Sequence, residues 1–288
     1  MSEAPMTTPR RLYRPSPALI WPGLMLIIFF AIPLALLFRT SFANRDPAVY
    51  QGSGFSLDAF AQLAQPMVMN TMVFSIGLAC LVALISVVIA FPATYFITRM
   101  TKRSQVVWLI AILSTLALSE VLLTFAWQIL LSKKAGISNV LVFLGLMQKS
   151  ASFAPSLGGV MACLVYLVIP FSFITLYPGM SRFDAAYVEA SRTLGANPIR
   201  AFFTVILPVM RKPISAAFLT NMMMAIAAFI VSLVLGGPEN WTIGVVISEV
   251  AITGQNLPFA AAIAVALMVV VSALVFTITK LGGKGYAS

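Results

Sequence analysis

Apolar residues fall in six long runs separated by short polar stretches. A bilayer core takes about 20 apolar residues as helix. Six segments reach that length: Ala18–Phe38, Thr71–Thr98, Gln105–Leu131, Ser156–Tyr177, Ile214–Leu235 and Pro258–Lys280. The pattern predicts six membrane-spanning helices. The first run follows Arg10, Arg11 and Arg14, as a signal peptide would. Its 21 residues exceed the roughly 7–15 of a signal core, and no small-residue cleavage site follows, so it reads as a retained span.

Composition agrees. Hydrophobic residues make up 60% of the 288, charged residues 9%, and mean hydropathy is +1.00. Soluble domains carry about 25% charged residues. The fold class expected is an all-α membrane protein. A single transmembrane domain would cover residues 18–280, with tails at 1–17 and 281–288.

The net charge of +10 does not point to nucleic acid. The basic residues sit in short clusters between apolar runs, with no interleaved aromatic platform. They act instead as a topology signal. One side would collect Arg10, Arg11, Arg14, Arg99, Lys102, Arg103, Arg182, Arg192, Arg200, Arg211, Lys212, Lys280 and Lys284; the other Arg39, Arg45, Lys133, Lys134 and Lys149. Thirteen against five predicts that both termini face the cytoplasm. Loops 39–68, 132–155 and 236–257 then face outward, and loops 99–104 and 178–213 inward.

Two outward stretches carry local structure. Residues 55–64, with Ser56 as N-cap, predict a short helix on the outer surface. Between Gly236-Gly237-Pro238 and Gly254, the apolar stretch WTIGVVISEVAI is too short to span. It fits a re-entrant helix or a plain surface helix.

Catalytic chemistry finds little support. There is no His, so the commonest general base and metal ligand are missing. Cys80 and Cys163 lie in separate apolar runs and read as packing residues. No G-x-x-x-x-G-K-[ST] phosphate loop is present. Gly282-Gly283-Lys284-Gly285 has the wrong spacing. No catalytic residue, metal site or cofactor is expected in this chain. A membrane-embedded enzyme is disfavoured on these grounds. An ion-coupled secondary transporter usually shows inverted repeats and several buried charges; here only Glu120 lies deep in a predicted span.

Residues 181–208 form an inward loop with its own helix signals. Ser181 and Asp184 fit a capping box. A helix through Tyr187, Val188, Ser191 and Leu194 would stop at Gly195, the position for a left-handed residue. Asn197 would cap a second helix with Pro198 at its first position. Ile199, Phe202, Phe203, Ile206 and Leu207 would line its apolar face, and Pro208 and Pro213 would end it. The resulting elbow exposes Tyr187, Val188, Leu194 and Phe202 beside Glu189, Arg192 and Arg200. It either caps the bundle or enters a groove on a partner.

Glu189-Ala190-Ser191, Gly195 and Val205-Ile206-Leu207-Pro208 resemble the E-A-A, three residues, G, nine residues, I-x-L-P signature of binding-protein-dependent ABC importer permeases of the type I fold. Ser191 and Val205 are departures from that text. Phe91-Pro92-Ala93-Thr94-Tyr95-Phe96, Phe125-Ala126-Trp127, Leu235-Gly236-Gly237 and Ile243-Gly244 are similar to the spermidine/putrescine branch. The resemblance implies that the elbow is a coupling helix docking on an ATPase. Glu189 and Gly195 would be central to it, beside Ala190, Ser191, Arg192 and Leu194. It implies an ATP-binding subunit dimer that holds ATP and Mg, a second permease chain, a periplasmic solute-binding protein, and a bacterial inner-membrane location. Polyamine is the favoured solute. Leu123 and Ala228 depart from the branch, which often has Arg and an acid there. Related permeases carry aminoethylphosphonate, opine-like amino acids and other small solutes, and these stay open as alternatives.

For the solute path three residues stand out. Glu120 either lines the path and favours a cation, or hydrogen-bonds to Ser119, Thr124 or Asn221 between packed helices. Asn221 is a second candidate, although amides inside spans often only bond helices together. Trp127 is a third, and also reads as an interfacial anchor beside Trp21 and Trp241.

Overall fold

The computed structural model describes residues 20–46, 49–134, 136–184 and 186–283. The expected tail 1–17, the start of the first span, Arg10, Arg11, Arg14 and residues 284–288 lie outside the described residues.

In hydrocarbon every backbone polar group must find its partner inside the protein, so apolar runs become helices. Helix α1 covers Trp21–Ser41 and opens into a π turn at Ile27–Ala31 just before Pro33. The wider turn absorbs a residue that has no N–H to donate. Helix α2 covers Pro66–Arg99, with Pro66 at its first position. Its 34 residues span about 51 Å at 1.5 Å per residue, far more than the ~30 Å bilayer core. Helix α3 is Lys102–Leu113, continued by a 3-10 turn at Ser114–Ala117, and α4 is Glu120–Leu130. Then come α5 (Leu157–Ser181), α6 (Ala186–Thr193), α7 (Pro198–Val209), α8 (Arg211–Ala227), α9 (Phe229–Leu235), α10 (Ile243–Ile252) and α11 (Leu257–Gly283).

Helices α2, α5 and α8 pack on one another and form the centre. Leu78, Val82, Val160, Leu164, Met222 and Val231 fill its middle. At one end Val87, Phe91, Phe173, Leu176, Ile206 and Met210 form a second cluster. At the other, Val68, Met72, Ile243, Val246, Phe259 and Ile263 form a third. Two buried hydroxyls are satisfied within their own helix: Ser86 donates to Val82 O and Thr94 to Ala90 O, each at 2.7 Å. Helix α1 buries almost nothing and leans on α11.

Loops expected to share a side do share an end. Phe153 N–H donates to Leu131 O at 2.9 Å and Ser156 N–H to Leu235 O at 3.0 Å. These bonds tie the 132–155 and 236–257 stretches together. Gln105 and Tyr177 are hydrogen-bonded at 2.7 Å at the opposite end. Gln105 Nε2 also donates to Thr98 O and Met100 O, clamping the α2–α3 turn.

Several sequence expectations need correction. Among the described residues four helices are long and apolar enough to cross a membrane, and up to six spans result when each bent pair is one span, which accommodates the six expected. The third predicted span is not one helix: α3 and α4 meet at 96°. The fifth begins at Arg211, earlier than Ile214, and breaks at Ala228. The loop 39–68 contains a small antiparallel hairpin, β1 (Asn44–Asp46) with β2 (Val49–Ser53), that the pattern did not predict. The short helix expected at 55–64 is present as Asp58–Ala61 with a 3-10 turn at Gln62–Ala64, and Ser56 Oγ accepts Asp58 N–H at 3.0 Å. Helix α10 is more than a surface helix. Its first residue, Ile243, is fully buried, and Ile243 N–H donates to Ser75 Oγ of α2 at 2.7 Å.

Candidate functional site: an elbow and a pocket between two broken spans

The elbow is built from α6 and α7. Asp184 Oδ1 accepts Ala186 N–H at 2.9 Å and starts α6. Ser181 takes no part, because α5 runs through it and its hydroxyl donates to Pro178 O. The expected capping box is therefore a single Asp cap. At the other end Ala196 N–H reaches Ser191 O at 3.0 Å and Gly195 N–H reaches Arg192 O at 2.9 Å. This pair of bonds is the Schellman arrangement, and it requires a left-handed residue at the first position past the cap. Gly195 supplies it with φ +83°. A Cβ there would meet nothing, so backbone conformation, not space, demands glycine. Asn197 Oδ1 then accepts Arg200 N–H at 2.7 Å, and Pro198 opens α7.

Helix α7 widens into a π turn at Phe202–Ile206, which admits Pro208 without ending the helix. The chain breaks at Met210 instead, and α7 meets α8 at 73°. Pro213 lies in the first turn of α8, where N–H groups have no intrahelical partner anyway. It is not the terminator the sequence suggested.

The elbow's two faces differ. Phe202 packs on Phe91 at 5.3 Å and on Tyr95 at 6.4 Å. Ala201, Ile206 and Met210 are buried, and Val188 and Phe202 are half-buried against the same cluster. Val188 and Phe202 thus serve as anchors and not as exposed knobs, because the π turn and α6 rest on the ends of α2 and α5. The outer face carries Leu194, 89% exposed, with Tyr187, Ile199 and Phe203. Glu189, Ala190 and Arg192 are exposed with them, and Ser191 is half-buried with its hydroxyl on Val188 O. An 89% exposed leucine contributes nothing to this chain's own core; burial on a partner would gain about 1.5–3 kcal/mol.

The pocket sits where two spans are interrupted. Between α3 and α4, Leu118 (ψ 141°) and Ser119 (ψ 133°) are extended. Local chemistry favours this stop: Ser114 Oγ and Thr115 Oγ1 donate to Ala111 O and Ile112 O and tighten the helix end. Ala228 (φ −78°, ψ 65°) separates α8 from α9. There the local sequence gives no stop signal, and packing sets the break. Gly244 of α10 presses so close that a Cβ would lie 3.0 Å from Phe229 Cβ. Ser232 Oγ accepts Thr242 N–H and donates to Asn240 O, tying α9 to the returning chain.

Both breaks line one cavity of about 170 Å³. Thr115, Leu116, Leu118, Glu120 and Leu123 come from the first break, Met224 and Ala228 from the second, and Tyr166 and Phe171 from α5. Glu120 is the first residue of α4 and reaches the cavity with its side chain exposed. An acid at the centre of a span costs about 2.5–3.5 kcal/mol on insertion scales, so it normally faces protein or a water-filled cavity. Of the partners expected for a packed Glu120, Thr124 donates to the Glu120 backbone oxygen at 2.8 Å, and Asn221 bonds to Ser172.

Asn221 and Trp127 are not on the cavity wall. Asn221 is 0% exposed, and its Nδ2 donates to Ser172 Oγ of α5 at 2.6 Å. Its amide oxygen is buried without a hydrogen-bond partner. Trp127 packs against Tyr166, which does line the cavity, with ring centroids 5.8 Å apart and planes tilted by 59°, and so backs the wall. Sequence reasoning missed Thr115, Tyr166, Phe171 and Met224 because only the bends bring them together. Among the described residues no group of three metal-ligating side chains occurs.

Residues 105–281 match the family model described as a binding-protein-dependent transport system inner membrane component. The spermidine/putrescine transport system permease protein PotB of Salmonella typhimurium is 28% identical over 245 residues, which is 85% of each chain. A crystal structure of a bacterial ABC transporter that imports the acidic polysaccharide alginate superposes with TM-score 0.76 at 16% identity, covering 93% of this chain and 95% of that one. The same kind of transporter in complex with an alginate pentasaccharide-bound periplasmic protein superposes at 0.74, also at 16% identity, over 94% of each.

Proposed function

The chain belongs to the binding-protein-dependent transport system inner membrane component family, as an ABC importer permease subunit, and on that premise we propose that it carries a polyamine or similar cationic solute into the cell. The elbow carries this reading. It holds an exposed apolar tip, Leu194 and Tyr187, beside Glu189 and Arg192, on a base fixed to α2 and α5. Such a part suits a groove on a separate ATPase dimer, which would bind ATP and Mg. Closure of that dimer moves both elbows, and the rigid base passes the motion to the spans. A second permease chain completes the path, and a periplasmic binding protein delivers solute at the opposite end. The basic-residue bias supports putting the elbow and both termini in the cytoplasm. Glu189 and Gly195 are the central coupling residues in this reading.

The solute class rests on two supports. The relatives at 28% identity are named for spermidine and putrescine. The charged group on the cavity wall is the acid Glu120, a sign that suits ammonium groups. The test is to purify the tagged chain from its own membrane. It is expected to bring an ATPase with it, and binding protein loaded with putrescine is expected to stimulate hydrolysis several-fold. Purification with no nucleotide-hydrolysing subunit, or hydrolysis indifferent to the loaded binding protein, would contradict the proposal.

A further inference from the structure

We infer that the cavity between the two broken spans is an intramembrane binding site for a primary ammonium group, with Glu120 as the residue that selects a cation. The inference rests on the proposed import role and adds a place and a chemistry to it.

Interrupted backbone at membrane depth survives only where protein buries it or where it lines a wet cavity. Here two interruptions, at Leu118–Ser119 and at Ala228, open onto the same space. Each break frees helix-end groups that want polar partners. Broken helices meeting in one cavity are a recurring way to hold a small polar solute in a membrane protein.

The wall has the composition an alkylammonium needs. Glu120 supplies one negative charge. Thr115 spends its proton on Ile112 O, so its oxygen lone pairs remain able to accept from an N–H. Tyr166 and Phe171 supply aromatic rings to the wall, and ring faces attract cations. Leu116, Leu118, Leu123 and Met224 can cover methylenes. About 170 Å³ is over ten times the ~10–15 Å³ that one water requires, enough for the end of a short chain.

The test uses the whole importer with its ATPase and binding protein in proteoliposomes, with radiolabelled putrescine as the probe. Glu120→Gln is expected to cut putrescine uptake at least about tenfold, while loaded binding protein still stimulates ATP hydrolysis to within twofold of the unaltered complex. Glu120→Asp is expected to restore most of the uptake. E120Q uptake within twofold of the unaltered complex would overturn the site. So would an E120Q chain that fails to assemble, since a same-sized amide on an open wall would then be a structural part. An unaltered complex that moves no putrescine contradicts the cationic reading itself and takes this site down with it.

Discussion

Single residues divide cleanly into those that hold the fold and those that face outward. Gly195 belongs to the first kind by backbone, since φ +83° with open space around it asks only for a left-handed residue. Asn221 belongs there by burial. Its bond to Ser172 joins α8 to α5 in the centre of the bundle, away from the cavity. Interhelical hydrogen bonds in membranes contribute about 0.6–1.7 kcal/mol. Asn221→Ala is therefore expected to lower stability by about that much in a detergent melt while leaving the KM for solute uptake unchanged. A changed KM with an unchanged melt would return Asn221 to the path. Leu194 and Glu189 are of the second kind, exposed at no benefit to this chain alone.

At the scale of elements, the elbow's rigidity depends on α7's π turn seating Phe202 on Phe91 and Tyr95. A fully buried Phe→Ala change costs about 3–5 kcal/mol. Phe202 is half-buried, so Phe202→Ala is expected to cost about 2 kcal/mol. It is also expected to raise the ATP hydrolysed per solute imported, because the elbow can then move without moving α2. Unchanged stoichiometry would mean the ring only fills space. The elements show what a sequence can and cannot reveal. The Gly195 stop, the Asn197 cap and Pro198 were legible because each acts on its nearest neighbours. The Asp184 cap is half legible: the S-x-x-D spacing suggests a box with Ser181, which α5 pre-empts by running longer. The break at Ala228 was illegible, since Ala-Ile-Ala-Ala-Phe is ordinary helix text and the cause lies in α10 and Ser232, distant in the chain. For the same reason Glu120 could be picked out as an acid in a span, but its aromatic neighbours could not.

For the whole molecule, one packed centre connects the elbow to the loops at the opposite end. Helices α2, α5 and α8 run from the elbow's base to the loops at the other end, and the cavity with Glu120 opens beside α5 and α8. In the proposed coupling, motion imposed on the elbow would reach the broken spans through packed side chains and not through a flexible linker. The measurement that tests this most directly is solute imported per ATP hydrolysed by the reconstituted importer carrying Glu189→Ala. Glu189 is exposed, so the change leaves the fold intact. The account predicts that loaded binding protein still docks while the ratio falls at least about tenfold. A ratio equal to that of the unaltered importer would contradict it.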